Sequence, residues 1–235
     1  VDTSGEPRHE AARAIIDDPR LELAGVYCYS ADKAGTDAGA LCGRPDTGIK
    51  ASNDIDALIA LKAESVFYNP FMADLEHVVR LLDSGLDVIS TNLLLNVGGI
   101  QGDVKGQLEA ACQRGGSSFY VTGINPGWIN SMATMLTAIC RKVDSVSLVE
   151  SADCSVYESV ETWGFLGMGE MGGTTPELLQ RAQNWLILFR DAVQRIGDAL
   201  EYRFDDIEFF CEYATAAQRV DLGWFCMEQG SNAAL

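Results

Sequence analysis

Between Ser65 and Gly127 the chain alternates short apolar segments with single helical periods, and no other feature restricts its fold as strongly. "SVFYNP" reads as a buried strand ending at Pro70. Asp74–Leu82 places apolar residues at helical spacing before Gly85 closes it. "LDVIST" is the next strand, Val104–Cys112 the next helix, closed by Gly115–Gly116, and "SSFYVTGINPG" the strand after that. Strands joined through single helices of about ten residues pair in parallel, with helices over both faces of the sheet. The right-handed crossover rule makes this a doubly wound, Rossmann-like α/β domain.

The residues upstream extend the same pattern. Arg8 to Asp17 carries Ala11, Ala12, Ile15 and Ile16 on one helical stripe, and Leu21–Tyr29 reads as an apolar, aromatic strand. Together they form the second half of a βαβ unit whose first strand is missing, Val1 being its last residue. Ile49–Ser52 is a short strand, and Asp54–Leu61 a short helix capped by Asn53 or Asp54.

After Gly127 the pattern changes. Trp128–Arg141 reads as a helix, "KVDSVSLVESADCSVYES" as a long strand, and Thr175–Leu200 as a long amphipathic helix. Thr174 or Thr175 caps that helix, with Pro176 in its first turn. "IEFFCEYATAAQRVDL" and "GWFCMEQGSNAAL" then form an antiparallel pair. The expected division is therefore 1–126, a dinucleotide-binding domain, and 127–235, an α+β domain for substrate and dimer contacts that stops mid-pattern at Leu235. A strand such as Glu208–Gln218 exposes a β edge unless it is covered, which points to a homodimer.

Composition removes several function classes. Thirty-four acidic against seventeen basic residues give a formal charge of −17. Such a chain is repelled by nucleic-acid phosphates and anionic membranes. No apolar run reaches the roughly eighteen residues of a membrane span. Seven cysteines without a C-x-x-C pair, beside only His9 and His77, argue against a structural zinc or other metal site. They fit a reduced, cytoplasmic setting.

The blocks "RAIIDDPRLELAGVY", "SADKAGTDAGALCG", "TGINPGWIN", "ESADCSVY", "WGFLGMGE" and "DLGW" span most of the chain. In this order they resemble the dihydrodipicolinate-reductase-like superfamily. Within it the likeness is greatest to NAD(P)-dependent amine dehydrogenases and 2,4-diaminopentanoate dehydrogenases. The resemblance implies an N-terminal Rossmann domain, a C-terminal α+β domain that dimerises, and hydride transfer between nicotinamide and a carbonyl, imine or amine carbon. Members usually carry about a hundred residues more, which accounts for ragged ends in a Rossmann frame.

Aligned on the helix at Arg13–Ile16, the three glycines of the phosphate-binding fingerprint fall at Thr3, Gly5 and Arg8. Only Gly5 survives, the position where a missing side chain lets backbone approach the pyrophosphate. Arg8 sets a cation beside the anion site of a helix N-terminus. After the second strand stand Tyr29, Ser30, Ala31, Asp32 and Lys33. Ser30 and Lys33 suit the 2′-phosphate of NADP; Asp32 pulls toward NAD, and the loop could equally be plain solvated turn.

In an open α/β sheet, ligands lie outside the carboxyl ends of the strands. That places Tyr68, Asn69 and Pro70, then Thr91 and Asn92, then Gly123 and Asn125 around the nicotinamide. Asn125 is a polar candidate for catalysis, or a cap for the following helix. The similar amine dehydrogenases carry an acid after the strand matching "DVIST", where this chain has Leu93 and Leu94. Leucine cannot hold an ammonium ion or move its proton, which shifts the expected substrate toward an apolar carbonyl or imine compound. Glu150, Asp153 and Glu158 are the nearby acids that could take over.

Tyr157 matches an active-site tyrosine of the family and offers a proton donor, unless it is a core side chain at a strand end. Trp163, Phe165 and Met168 are candidates for an apolar pocket wall or for ordinary packing, and Cys154 lacks a nearby base. The degraded glycines and the leucine pair leave a second reading open: a non-redox member, either a lyase or isomerase or a silent binding subunit.

Overall fold

Asp74 opens the helix that organises the first core. Its carboxylate accepts from the amides of Glu76 (2.9 Å) and His77 (3.3 Å), satisfying two of the free donors of a helix start. The structure is a computed structural model describing residues 6–70, 73–91, 104–186, 188–208 and 210–235, with backbone alone at 6–8, 185, 186, 188 and 191. It divides into two compact units, Val1–Gly123 and Ile124–Leu235.

The first unit contains α1 (Glu6–Asp17), α2 (Ala38–Cys42), α3 (Ile55–Ile59), β1 (Ser65–Phe67), α4 (Leu75–Asp83), β2 (Asp87–Ser90), α5 (Val104–Gly115) and β3 (Phe119–Val121). The strands form one parallel sheet in the order β1-β2-β3. On α4, Val78, Leu81 and Leu82 are buried, and they meet Leu86, Val88, Leu108 and Ala111 in one core. Fully burying such side chains stabilises the unit by about 1.5–3 kcal/mol each.

Among the described residues, α4 and α5 pack on the same face of the three-stranded sheet. Val88 and Ser90 are buried on that face, whereas Ile89 is 37% and Tyr120 56% exposed, and these two sit in register with Phe67 on the other face. The cause is topological. Both crossovers step in the same direction along the sheet, and right-handedness then puts α4 and α5 on the same side.

Upstream, Leu21–Tyr29 is not a regular strand. Within it, Cys28 N–H donates to Ser52 C=O and Ser52 N–H to Val26 C=O, both at 2.9 Å, a parallel bridge of Tyr27 with Ser52. Val26 and Cys28 are buried there against Ala38 and Ala51. The third strand stops at Val121, and a turn with a cis Asn125–Pro126 bond follows.

The second unit holds α6 (Ile129–Thr137), α7 (Val160–Phe165), α8 (Pro176–Leu186), α9 (Leu188–Ala199) and four short strands, β4 (Ala214–Thr215), β5 (Val220–Asp221), β6 (Cys226–Met227) and β7 (Asn232–Ala234). β4 pairs antiparallel with β7, and β5 with β6. Thr175 caps α8 through its hydroxyl, which accepts from Leu178 N–H at 3.2 Å, with Pro176 as the first helical residue. The helix expected over 175–200 is α8 and α9, described on either side of residue 187.

Two expectations fail here. Residues 142–159 form no strand, and Val149 is 90% exposed. β-propensity reflects packing against neighbours, and no described strand pairs with this segment. Within Glu208–Gln218 the described strand is Ala214–Thr215, paired with β7, and Ala216 adds backbone hydrogen bonds with Gly230 and Ser231. The core lies instead around Trp163, whose ring meets Trp224 edge-on at 5.0 Å and Phe225 at 5.2 Å. Among the described residues no helix is long and apolar enough to cross a membrane, and no His/Cys/Asp/Glu group is placed to hold a metal. All seven cysteines are free thiols.

Candidate functional site at the carboxyl edge of the parallel sheet

The sheet ladder runs one residue past its strands. Tyr68 N–H donates to Ile89 C=O (2.8 Å) and Thr122 N–H to Ser90 C=O (2.9 Å), so Tyr68 and Thr122 stay tied to β2 at its carboxyl end. At this edge the Thr91 hydroxyl donates to the Asn69 side-chain oxygen, joining two of the expected cofactor residues. Pro70 is buried beside them and Gly123 half-buried.

Tyr68 is anchored by its hydroxyl, which accepts from Asp74 N–H at 2.9 Å and donates to Asp74 C=O at 3.3 Å. Burial pushes its phenol up, the hydrogen bond with Tyr29 pulling the other way, so Tyr68 stays neutral at this edge. The Tyr29 and Tyr68 hydroxyls lie 3.4 Å apart. Tyr29 also meets Tyr27 edge-on at 4.9 Å and stacks over His77 at 6.3 Å. Sequence reasoning missed His77. Its signal was its place three residues after the Asp74 cap, in the first turn of the helix following β1.

Ser30 and Lys33 lie in one tight turn, Lys33 N–H donating to Ser30 C=O at 3.2 Å. Lys33 is half-buried, and among the described residues no carboxylate makes an ion pair with its ammonium. Thr3, Gly5, Asn92, Leu93 and Leu94 lie outside the described residues, as does the side chain of Arg8.

The second unit presents another set. Asn125 does not cap the next helix. Its amide donates to Glu150 Oε2 at 2.7 Å, while Asn130 Oδ1 accepts from Gly127 N–H at the start of α6. Asp153 accepts from Ser155 N–H at 2.9 Å, and the Ser155 hydroxyl and amide together hold its carboxyl below the usual carboxylate range. Tyr157 is 48% exposed, which removes the reading as a core side chain.

The backbone that carries Tyr157 is well fixed. Tyr157 N–H donates to Cys154 C=O (2.9 Å), Ser159 caps α7, and Trp224 Nε1 donates to Ser155 C=O (3.1 Å). Trp163 is 7% exposed and packed against Trp224 and Phe225. A buried indole and a pocket indole carry the same signature in sequence, since both follow an apolar pattern.

No family model matches the chain. A curated protein named "Amine dehydrogenase" from Streptomyces virginiae is 28% identical over 211 residues, 84% of this chain and 57% of that relative. The chain thus spans a little over half the length of the curated relative it matches. Among solved structures, "Structure of Amine Dehydrogenase from Mycobacterium smegmatis" superposes with a TM-score of 0.70 at 14% identity, covering 95% of this chain and 68% of that one. The chain is therefore similar to amine dehydrogenases in sequence and shares their fold, an α/β Rossmann-like unit followed by a unit with antiparallel sheets. These matches bear out the resemblance on its amine-dehydrogenase side.

Proposed function

We propose that this chain belongs to an oxidoreductase acting on amines and the matching imine or carbonyl compounds, with NADP, or else NAD, as hydride carrier. The observation that carries the reading is the 28% identity to an amine dehydrogenase across 84% of the chain. The carboxyl edge of the parallel sheet supports it, being the place where open α/β sheets take ligands.

The residues at that edge suit a dinucleotide. Asn69 and Thr91 form a neutral donor–acceptor pair, and Tyr68 beside them is kept neutral by burial, a polar and uncharged set that suits a nicotinamide ring. Lys33, without an ion-pair partner among the described residues, and the Ser30 hydroxyl fit a 2′-phosphate. Thr3, Gly5 and Arg8 are the residues assigned to the diphosphate, and Pro70, Asn92 and Gly123 complete the rim. When bound, the nicotinamide supplies or accepts the hydride.

Tyr157 is assigned the proton. Its backbone is fixed while its side chain is exposed, the arrangement a donor to a substrate oxygen or nitrogen requires. Asn125, held by Glu150, is assigned to orient the reacting group, and Asp153, kept ionised by Ser155, to attract an ammonium. With Leu93 after the second strand, the substrate class is small and largely apolar. The chain is further proposed to work as a cytoplasmic homodimer through the second unit, where Trp128, Met135, Leu136 and Ile139 are exposed. A monomeric mass in light scattering at micromolar protein would contradict the dimer.

The test is NADPH oxidation with ammonium and a panel of apolar ketones. Turnover is expected, and Tyr157→Phe should lower kcat by roughly 10²–10⁴ without changing stability. Absence of turnover with either nicotinamide, or a Tyr157→Phe variant as active as wild type, would refute the assignment of activity or of the proton donor respectively.

A further inference from the structure

The turn that carries Ser30 and Lys33 stands on two feet. Cys28 N–H reaches Ser52 C=O at 2.9 Å on one side, and Gly35 N–H reaches Ala51 C=O at 2.8 Å on the other. Both feet therefore rest on neighbouring residues of one segment. Inside the turn, Lys33 N–H donates to Ser30 C=O (3.2 Å), Ala34 N–H to Ala31 C=O (3.3 Å) and Thr36 N–H to Lys33 C=O (3.1 Å).

The supporting segment is itself held in place from a distance. Ala51 N–H donates to Thr36 C=O (2.9 Å) and Ala38 N–H to Ile49 C=O (2.8 Å), an antiparallel bridge centred on Asp37 and Lys50. The Asp37 carboxylate closes it. Oδ1 accepts from Gly39 N–H (2.8 Å), Thr47 N–H (2.9 Å) and the Thr47 hydroxyl (3.1 Å), and Oδ2 accepts from Gly48 N–H (2.9 Å). One side chain thus starts α2 and ties the returning chain at Thr47–Gly48 to it, immediately before the residues on which the Ser30–Lys33 turn stands.

We propose that Asp37 is a positioning residue for cofactor choice: by latching Thr47–Gly48 it fixes the turn that presents Ser30 and Lys33, and so sets preference for NADPH over NADH. This rests on the assignment of Ser30 and Lys33 to the 2′-phosphate. The two nucleotides differ only in that phosphate, so a loosened turn weakens NADPH alone. A structural role without positioning would weaken both alike.

The experiment is calorimetric titration of NADPH and of NADH into the full chain, with Asp37→Ala, Asp37→Asn and Lys33→Met. Asp37→Ala should raise the NADPH Kd roughly tenfold and leave the NADH Kd within about twofold. Asp37→Asn should fall between, since an amide keeps the Oδ1 bonds and loses the one from Gly48. Lys33→Met should reproduce the NADPH loss without loosening the turn. Amide hydrogen exchange at Lys33, Ala34 and Thr36 supplies the second readout and should quicken in Asp37→Ala but not in Lys33→Met. Equal loss of both nucleotides, or unchanged exchange in Asp37→Ala, would overturn the proposal. If the wild-type chain takes up neither nucleotide, the cofactor assignment has failed, and with it this proposal; quickened exchange would then establish the latch as a purely structural device.

Discussion

The same change at two glycines should act with opposite sign. At Gly39 in α2, an added Cβ would lie 2.0 Å from Pro45 O, 2.8 Å from Pro45 C and 2.9 Å from Arg44 O. All three are backbone atoms, so no side-chain rotation relieves the clash. The returning loop must move by more than an ångström, which breaks the bonds that Thr47 and Gly48 make to Asp37 at 2.9 Å. Losing about three hydrogen bonds at roughly 1 kcal/mol each, against a helix-propensity gain of about 1 kcal/mol, leaves a net cost near 2 kcal/mol. At Gly164 in α7 no atom of the described residues lies within 4 Å of the added Cβ. There the propensity gain stands alone, up to about 1 kcal/mol of stabilisation.

Urea denaturation reads both. The four tryptophans, at 128, 163, 185 and 224, all follow Gly123, so their fluorescence reports the second unit, and circular dichroism adds the first. Gly39→Ala should lower the dichroism midpoint and Gly164→Ala should raise the fluorescence midpoint. Equal signs, or a neutral Gly39→Ala, would refute the close approach of Pro45 to α2.

Trp163→Ala should cost about 3–5 kcal/mol in the fluorescence-detected transition, because it removes a buried ring from a packed trio; a loss below about 1 kcal/mol would contradict the weight given to that packing. Burial, with the neighbouring Cys211, pushes the Tyr213 phenol up from 10.0 to about 12 while its hydroxyl donates to Leu166 C=O at 2.7 Å. The folded state then keeps a proton that the unfolded state has lost. Stability contributed by Tyr213 is therefore full below pH 10 and falls as the pH rises toward 12. Tyr213→Phe should flatten that alkaline slope, measured by urea midpoints against pH; an unchanged slope would contradict the burial argument.

The alternating half of the chain was legible because each element carries its own punctuation. Asp54 and Asp74 cap α3 and α4 as their positions imply, and Gly85, at φ +90°, closes α4. Thr175 and Pro176 announced α8 in the same way. Residues 142–159 were misread because alternation of Val and Ser states only what a strand would look like. Whether one forms depends on a neighbour, which single-sequence patterning does not reveal. The missed parts of the site are also non-local. Tyr29 meets Tyr68 and His77 across 39 and 48 residues, and Asp37 bonds Thr47 and Gly48 around a loop. The shared face of α4 and α5 was readable in principle from the direction of the crossovers, given the strand order.

The decisive measurement is a crystal structure of the chain grown with NADP. The account predicts the nicotinamide against Asn69 and Thr91 at the carboxyl edge of β1 and β2, with the 2′-phosphate on Ser30 and Lys33. A dinucleotide bound away from that edge, or a crystal in which saturating NADP leaves it empty, would contradict the assignment.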